Sequence, residues 1–157
     1  MQSQDFVNIL QSVFNSVDLK AYSGKVALIK QILEIMMFKY AITRKPSRSM
    51  IDGLSEAELG LPDYENALVQ HADYVAALKE CGLEVTELEA VEEFPDSCFV
   101  EDVALMTPKC AILTNPGAES RRGEVAHIES AVRSHYDVVE EITMPGFVEA
   151  GDIMMVG

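Results

Sequence analysis

The chain has 157 residues, with 12 basic and 26 acidic residues giving a formal charge of −14. That length holds one ordinary domain or part of a larger one, and 48% apolar with 24% charged residues excludes a disordered chain. The acidic balance excludes binding to nucleic-acid backbones, which needs clustered Lys and Arg, but it leaves room for a cationic small molecule.

Met1-Gln-Ser-Gln-Asp5 has no basic n-region, and no apolar run approaches ~20 residues, so neither a signal peptide nor a membrane-spanning helix is expected. Phe6, Ile9, Leu10, Val13, Phe14 and Val17 recur at helical spacing, as do Leu28, Ile29, Ile32 and Leu33. Residues 1–36 hold three basic and three acidic residues and no proline; the rest holds nine basic, 23 acidic and all six prolines. Two readings stand for 1–36: amphipathic helices added to the domain, or an extension or mis-called start ahead of a fold beginning at Met37.

Phe38–Thr43 alternates and predicts a strand. Ser55-Glu-Ala-Glu58 fits a capping box for a short helical turn, and Pro62-Asp63 opens a helix with Tyr64, Ala67, Leu68, Val75 and Leu78 on its apolar face. Gly82 is its expected stop. Strands are expected at Leu83–Leu88, Phe99–Met106 and Cys110–Thr114, then a helix from Ser120 through Val132, then strands at Val138–Thr143 and Asp152–Val156. The order helix, strand, loop, Phe-Val-Glu, strand occurs twice, with the triplets at Phe99 and Phe147 lying 48 residues apart. This points to a repeat architecture in an α/β fold. Ending inside the apolar stretch Asp152–Gly157 leaves an expected unpaired edge, so residues are expected beyond Gly157, against the alternative of a natural edge strand.

Phe94-Pro-Asp-Ser-Cys-Phe-Val-Glu-Asp102 is the most informative segment. Pro95 and Asp96 make a turn, and Glu101 and Asp102 then fall on opposite faces of the expected strand. Carboxylates among buried strand residues are costly unless a cation or several donors meet them. A planar guanidinium suits them, because its fork of donors matches a carboxylate bidentately. That guanidinium belongs either to a ligand or to the protein's own Arg121 or Arg122. Glu149-Ala-Gly151-Asp152 again places acids around a glycine, which permits close backbone approach or a bulge. His71 reads as a packing residue, and His127 and His135 as surface residues. Cys81, Cys98 and Cys110 lack metal or disulfide spacing, and carboxylates beside Cys98 disfavour its thiolate. No metal, no cofactor and a reducing, cytoplasmic setting are the expectations.

From Met37 to Gly157 the chain resembles the dimethylarginine dimethylaminohydrolases (dimethylargininases) of the amidinotransferase and arginine deiminase superfamily, over the N-terminal half of such a protein. Arg44-Lys-Pro46-Ser, Asp52-Gly-Leu54, Leu61-Pro-Asp-Tyr64, Phe94–Asp102, Pro116–Glu124 and Val148–Asp152 carry the resemblance. It implies part of a five-bladed α/β propeller of ββαβ units around a central pocket. It also implies that Asp96, Glu101 and Asp102 hold the guanidinium and amino groups of a methylated arginine, and that Arg121 binds its α-carboxylate. Leu54 would belong to a covering loop, and Glu149 would orient a catalytic histidine. The family's His and nucleophilic Cys follow the Glu149 motif, so the chain as given is expected to hold the cradle and to lack the chemistry. The family reaction yields citrulline and a methylated amine through a Cys thiouronium intermediate. An arginine deiminase-like hydrolase is the alternative enzyme, although arginine deiminases typically show Arg-Asp where this chain has Glu101-Asp102. A free-standing arginine-binding half-protein is the non-catalytic alternative. The resemblance allows a homodimer and implies neither a nucleic-acid nor a membrane partner.

Overall fold

The computed structural model describes residues 38–55 and 60–154; the expected helices in 1–36, the turn at 56–59 and the last three residues lie outside them. Strand β1 (Tyr40–Arg44), helix α1 (Tyr64–Glu80) and strand β2 (Glu84–Leu88) form one parallel β-α-β unit, with Tyr40 opposite Glu84 and Arg44 opposite Leu88. Both ends of α1 follow from the sequence. The Asp63 carboxylate accepts the Asn66 N–H at 3.0 Å as N-cap. At the other end Gly82 takes φ +90°, its N–H donates to the Lys79 carbonyl (2.9 Å), and Leu83 N–H donates to the Leu78 carbonyl (3.2 Å). These paired bonds close the helix while Leu78 and Leu83 pack together with Cys81.

The second unit begins with strands β3 (Ala104–Met106) and β4 (Ala111–Leu113), an antiparallel hairpin. A 3-10 helix (Glu119–His127) and a short helix α2 (Glu129–Arg133) then carry the chain to β5 (Val139–Glu141), parallel to β4. The chain thus makes a parallel crossover twice, β1-α1-β2 and β4-α2-β5, whereas the strand expected to close the second helix-strand-loop-Phe-Val-Glu unit begins as a 3-10 turn. Val103, Ala104, Ala111, Leu113, Ile128 and Val132 form the larger core, and Ile42 and Leu88 of the first sheet pack onto it. Buried Arg44 ties the units further, donating from Nη1 to the Glu89 carbonyl and from Nη2 to the His127 carbonyl, both at 2.8 Å.

Three expected elements differ. The strand at Phe99–Met106 is reduced to Ala104–Met106, because the chain before it coils: Ser97 N–H donates to Phe94, Phe99 N–H to Asp96, and Asp102 N–H to Phe99. Glu101 and Asp102 therefore lie in a turn and not on alternate faces of a strand. The helix from Ser120 is mostly 3-10, and Ala150–Asp152 is a 3-10 turn where a strand was expected to start. His135 is half-buried, its ring 4.7 Å from that of Tyr40 and its Nε2 buried without a hydrogen-bond partner among the described residues, so it is not a surface residue. His71 is half-buried as a packing residue, although its Nε2 also lacks a partner among the described residues. No helix among the described residues is long and apolar enough to cross a membrane.

Candidate functional site

The coiled loop after β2 delivers three carboxylates into one neighbourhood. Asp96 is buried at 8% exposure, and the Leu54 N–H donates to both of its oxygens at 3.1 Å. Gly53 makes this approach possible: a Cβ there would stand 2.6 Å from Asp96 Oδ1. The backbone of Leu54 is thereby fixed to the acid while its side chain stays 62% exposed.

Asp102 accepts a 2.6 Å hydrogen bond at Oδ2 from Arg121 Nη1. Its own carbonyl accepts from Thr114 Oγ1 at 2.8 Å and from the Ala150 N–H at 2.9 Å, tying the loop to β4 and to the second acidic segment. Gly151 lies directly against Asp102 Oδ1, so only a residue without a Cβ fits there. Glu149 precedes this contact, with its carboxylate beside Gly117. Leu54, Asp96, Asp102, Arg121 and the Glu149 segment are thus joined by direct contacts, and Glu101 stands beside Asp102.

Arg121 is buried and engaged with protein carboxylates. Besides Asp102 it donates from Nε and Nη2 to Glu124 Oε1 (3.1 Å) and Oε2 (2.9 Å), and Nη2 also reaches the carbonyls of Asp96 (3.3 Å) and Phe99 (3.4 Å). Burial opposes its charge, but the hydrogen bonds it donates to Glu124 and Asp102 outweigh this and hold the guanidinium above its usual range. Of the two arginines weighed as internal partners, Arg121 is the one that meets the acids. Arg122 donates instead to the Pro116 and Gly117 carbonyls and lies over the Phe147 ring.

Among the described residues neither Asp96 nor Glu101 has a salt bridge, and Glu101, unlike Asp96, meets no donor other than its own N–H. Burial pushes its carboxyl up to about 7; its own N–H and Arg121 pull the other way, and Asp102 adds to the rise. The Cys98 thiol is pushed up to about 12, by burial first and by Glu101 and Asp96 next, which makes it a poor nucleophile. Among the described residues no group of three or more His, Cys, Asp or Glu is placed to hold a metal ion. Sequence reasoning missed Glu124 and Arg44. The only signal for Glu124 was its position three residues after Arg121, and nothing local marked Arg44 as a bridge to His127.

The cluster collects more carboxylates than guanidinium groups in a partly sheltered place. No family model matches the chain. Over 122 residues it is 57% identical to an N(G),N(G)-dimethylarginine dimethylaminohydrolase of Pseudomonas aeruginosa, covering 77% of this chain and 48% of that protein. A Streptomyces coelicolor protein of the same name is 38% identical over 123 residues, covering 78% of this chain and 48% of the relative. A crystal structure of a dimethylarginine dimethylaminohydrolase variant, as its adduct with S-methyl-L-thiocitrulline, matches with a TM-score of 0.76 at 56% identity, over 77% of this chain and 48% of that one. The chain spans about half the length of the curated relatives it matches. Its α/β fold is accordingly part of the propeller that those enzymes share.

Proposed function

We propose, for a chain that is a relative of the dimethylargininases over about half their length, that its acidic cluster is the guanidinium cradle of an enzyme hydrolysing dimethylarginine or monomethylarginine to citrulline. The observation that carries this reading is the convergence of Asp96, Glu101 and Asp102 from one loop, with Asp96 and Glu101 unpaired with any cation among the described residues. A guanidinium brings delocalised charge and several N–H donors to such a group, and fixed carboxylates hold it while a nucleophile approaches.

In this reading Asp96, Glu101 and Asp102 hold the guanidinium and amino groups. Arg121 takes the α-carboxylate with the Nη1 hydrogen that Asp102 leaves free, Leu54 covers the cradle, and Glu149 orients the catalytic histidine of the complete protein. The chemistry is attack of a Cys thiolate on the guanidinium carbon, expelling the methylated amine as the histidine protonates it. Water activated by that histidine then displaces the thiolate, giving citrulline and restoring the cysteine. Cys98 is no candidate for the nucleophile, given its raised thiol. No cofactor takes part. A cytoplasmic location and a homodimer belong to the same proposal, tested by fractionation and sedimentation.

The deciding experiment supplies the complete gene product with asymmetric dimethylarginine, monomethylarginine and arginine in parallel. Citrulline and the methylated amine should form from the first two. Hydrolysis of arginine alone would transfer the protein to the deiminase class, and no citrulline from any of them would remove the enzyme reading.

A further inference from the structure

Glu124 is almost fully buried, at 2% exposure, and so cannot touch a ligand itself. Its carboxylate nevertheless takes two of the five N–H groups of Arg121 in a forked pair. The local helix explains the match. With three residues per turn, a 3-10 helix stacks positions i and i+3, so Glu124 stands over Arg121. Nη1 then points to Asp102, the second Nη2 hydrogen lies between the Asp96 and Phe99 carbonyls, and one Nη1 hydrogen is left over among the described residues. Arg44 adds a second buried guanidinium whose charge is felt with that of Glu124.

We infer that Glu124 is a positioning residue: it fixes the rotation of the Arg121 guanidinium, and through it the aim of the Asp102 carboxylate and of the one free Nη1 hydrogen. This rests on the proposed function for its ligand, but the anchoring itself does not. Without Glu124 the guanidinium keeps its charge and loses the fork that sets its plane, and misaimed binding groups lose affinity steeply with displacement.

The test uses the complete gene product, as wild type and as Glu124→Gln, with Glu124→Asp as the second variant should the first not fold. The first readout is ligand-free: NMR of the Arg121 side chain should show a shifted, slowly exchanging Nε–H and separate Nη signals in wild type, lost in the variants. The second is calorimetric affinity for asymmetric dimethylarginine, expected to fall about tenfold or more in Glu124→Gln. In an Arg121→Ala background the same substitution should change affinity less than about twofold, because its effect passes through Arg121. An unaltered Arg121 spectrum in the variants overturns the inference, as does an undiminished Glu124→Gln effect in the Arg121→Ala background. Wild-type protein that binds no dimethylarginine sinks the proposed function alone, and the spectrum then decides the anchoring by itself.

Discussion

Glu101→Gln should make the protein's stability less sensitive to pH, and the size of the effect follows from the environment of Glu101. An unfolded chain ionises this carboxyl near 4.5, whereas burial in the native cluster raises it to about 7. The native state therefore holds a proton that the unfolded state has released, between about pH 4.5 and 7. Stability from that proton is fully present below about pH 4.5 and is lost as pH rises through about 7. At about 1.36 kcal/mol for each tenfold change in proton affinity, the whole loss is about 3 kcal/mol, an upper figure because Glu101 keeps some contact with water. Between pH 5 and 8 the share is about 2 kcal/mol. Gln keeps the shape and cannot titrate, so the variant should gain on wild type by that amount across the interval. Urea unfolding at pH 5, 6, 7 and 8 measures it; with slopes of about 1–3 kcal/mol per molar, the gap in midpoints should change by about 1 M. A gap constant over the whole range would refute the reasoning, since it would mean that native Glu101 is already ionised at pH 5.

The same proton should compete with a bound cation, so calorimetric affinity for dimethylarginine should fall about tenfold from pH 8 to pH 6 in wild type, and far less in Glu101→Gln. Gly151→Ala puts a methyl group against Asp102 Oδ1 and should disturb the Asp102–Arg121 pair; calorimetry should show weaker ligand binding than for Gly117→Ala, where a Cβ would meet only Glu149 Oε1 at an ordinary 3.9 Å. Asp96→Asn removes the charge that meets the Leu54 N–H and that the proposed cradle turns to the guanidinium, and should weaken binding by about 1–3 kcal/mol in the same assay. Arg44→Met removes two charge-assisted bonds to the Glu89 and His127 carbonyls and should cost about 3 kcal/mol in urea unfolding.

Much of the framework was legible because it is written in local chemistry. Asp63 and Gly82 mark the ends of α1 by capping rules that need no tertiary partner. The four strands β1, β2, β4 and β5 fall within or overlap the stretches of alternating or apolar residues. The failures share a cause. Phe99–Asp102 has the composition of a strand, yet the Phe99 carbonyl is taken by a turn and by Arg121 Nη2, a partner 22 residues away, and the Asp102 carbonyl by Thr114 and Ala150, which no period-two pattern can reveal. Likewise the 3-10 form of Glu119–His127 fits the Arg121–Glu124 fork, which is a tertiary requirement of a buried cation. The acids of the cluster were visible as misplaced charge in an apolar setting, while the partner that holds them was visible only as one of two adjacent arginines.

The charge balance of the cluster argues for ligand binding more firmly than the count of acids does. A buried ion pair is weak support for stability, since desolvation can exceed the attraction, whereas removing one partner from it is severely destabilising. Here one guanidinium, Arg121, serves two carboxylates, Asp102 and Glu124, with the buried Arg44 also acting on Glu124 at longer range. Asp96 is met by a backbone N–H, which offsets desolvation without supplying a full positive charge. Among the described residues Glu101 has neither cation nor side-chain donor, and burial leaves it a carboxyl that takes up a proton near neutrality. A fold selected only for stability would replace such a residue by Gln or by an apolar side chain. Keeping it ionisable beside Asp102 makes sense if a cation arrives from solution to take the proton's place, and this is why the titration of Glu101, with and without dimethylarginine, reads out the proposed function most directly.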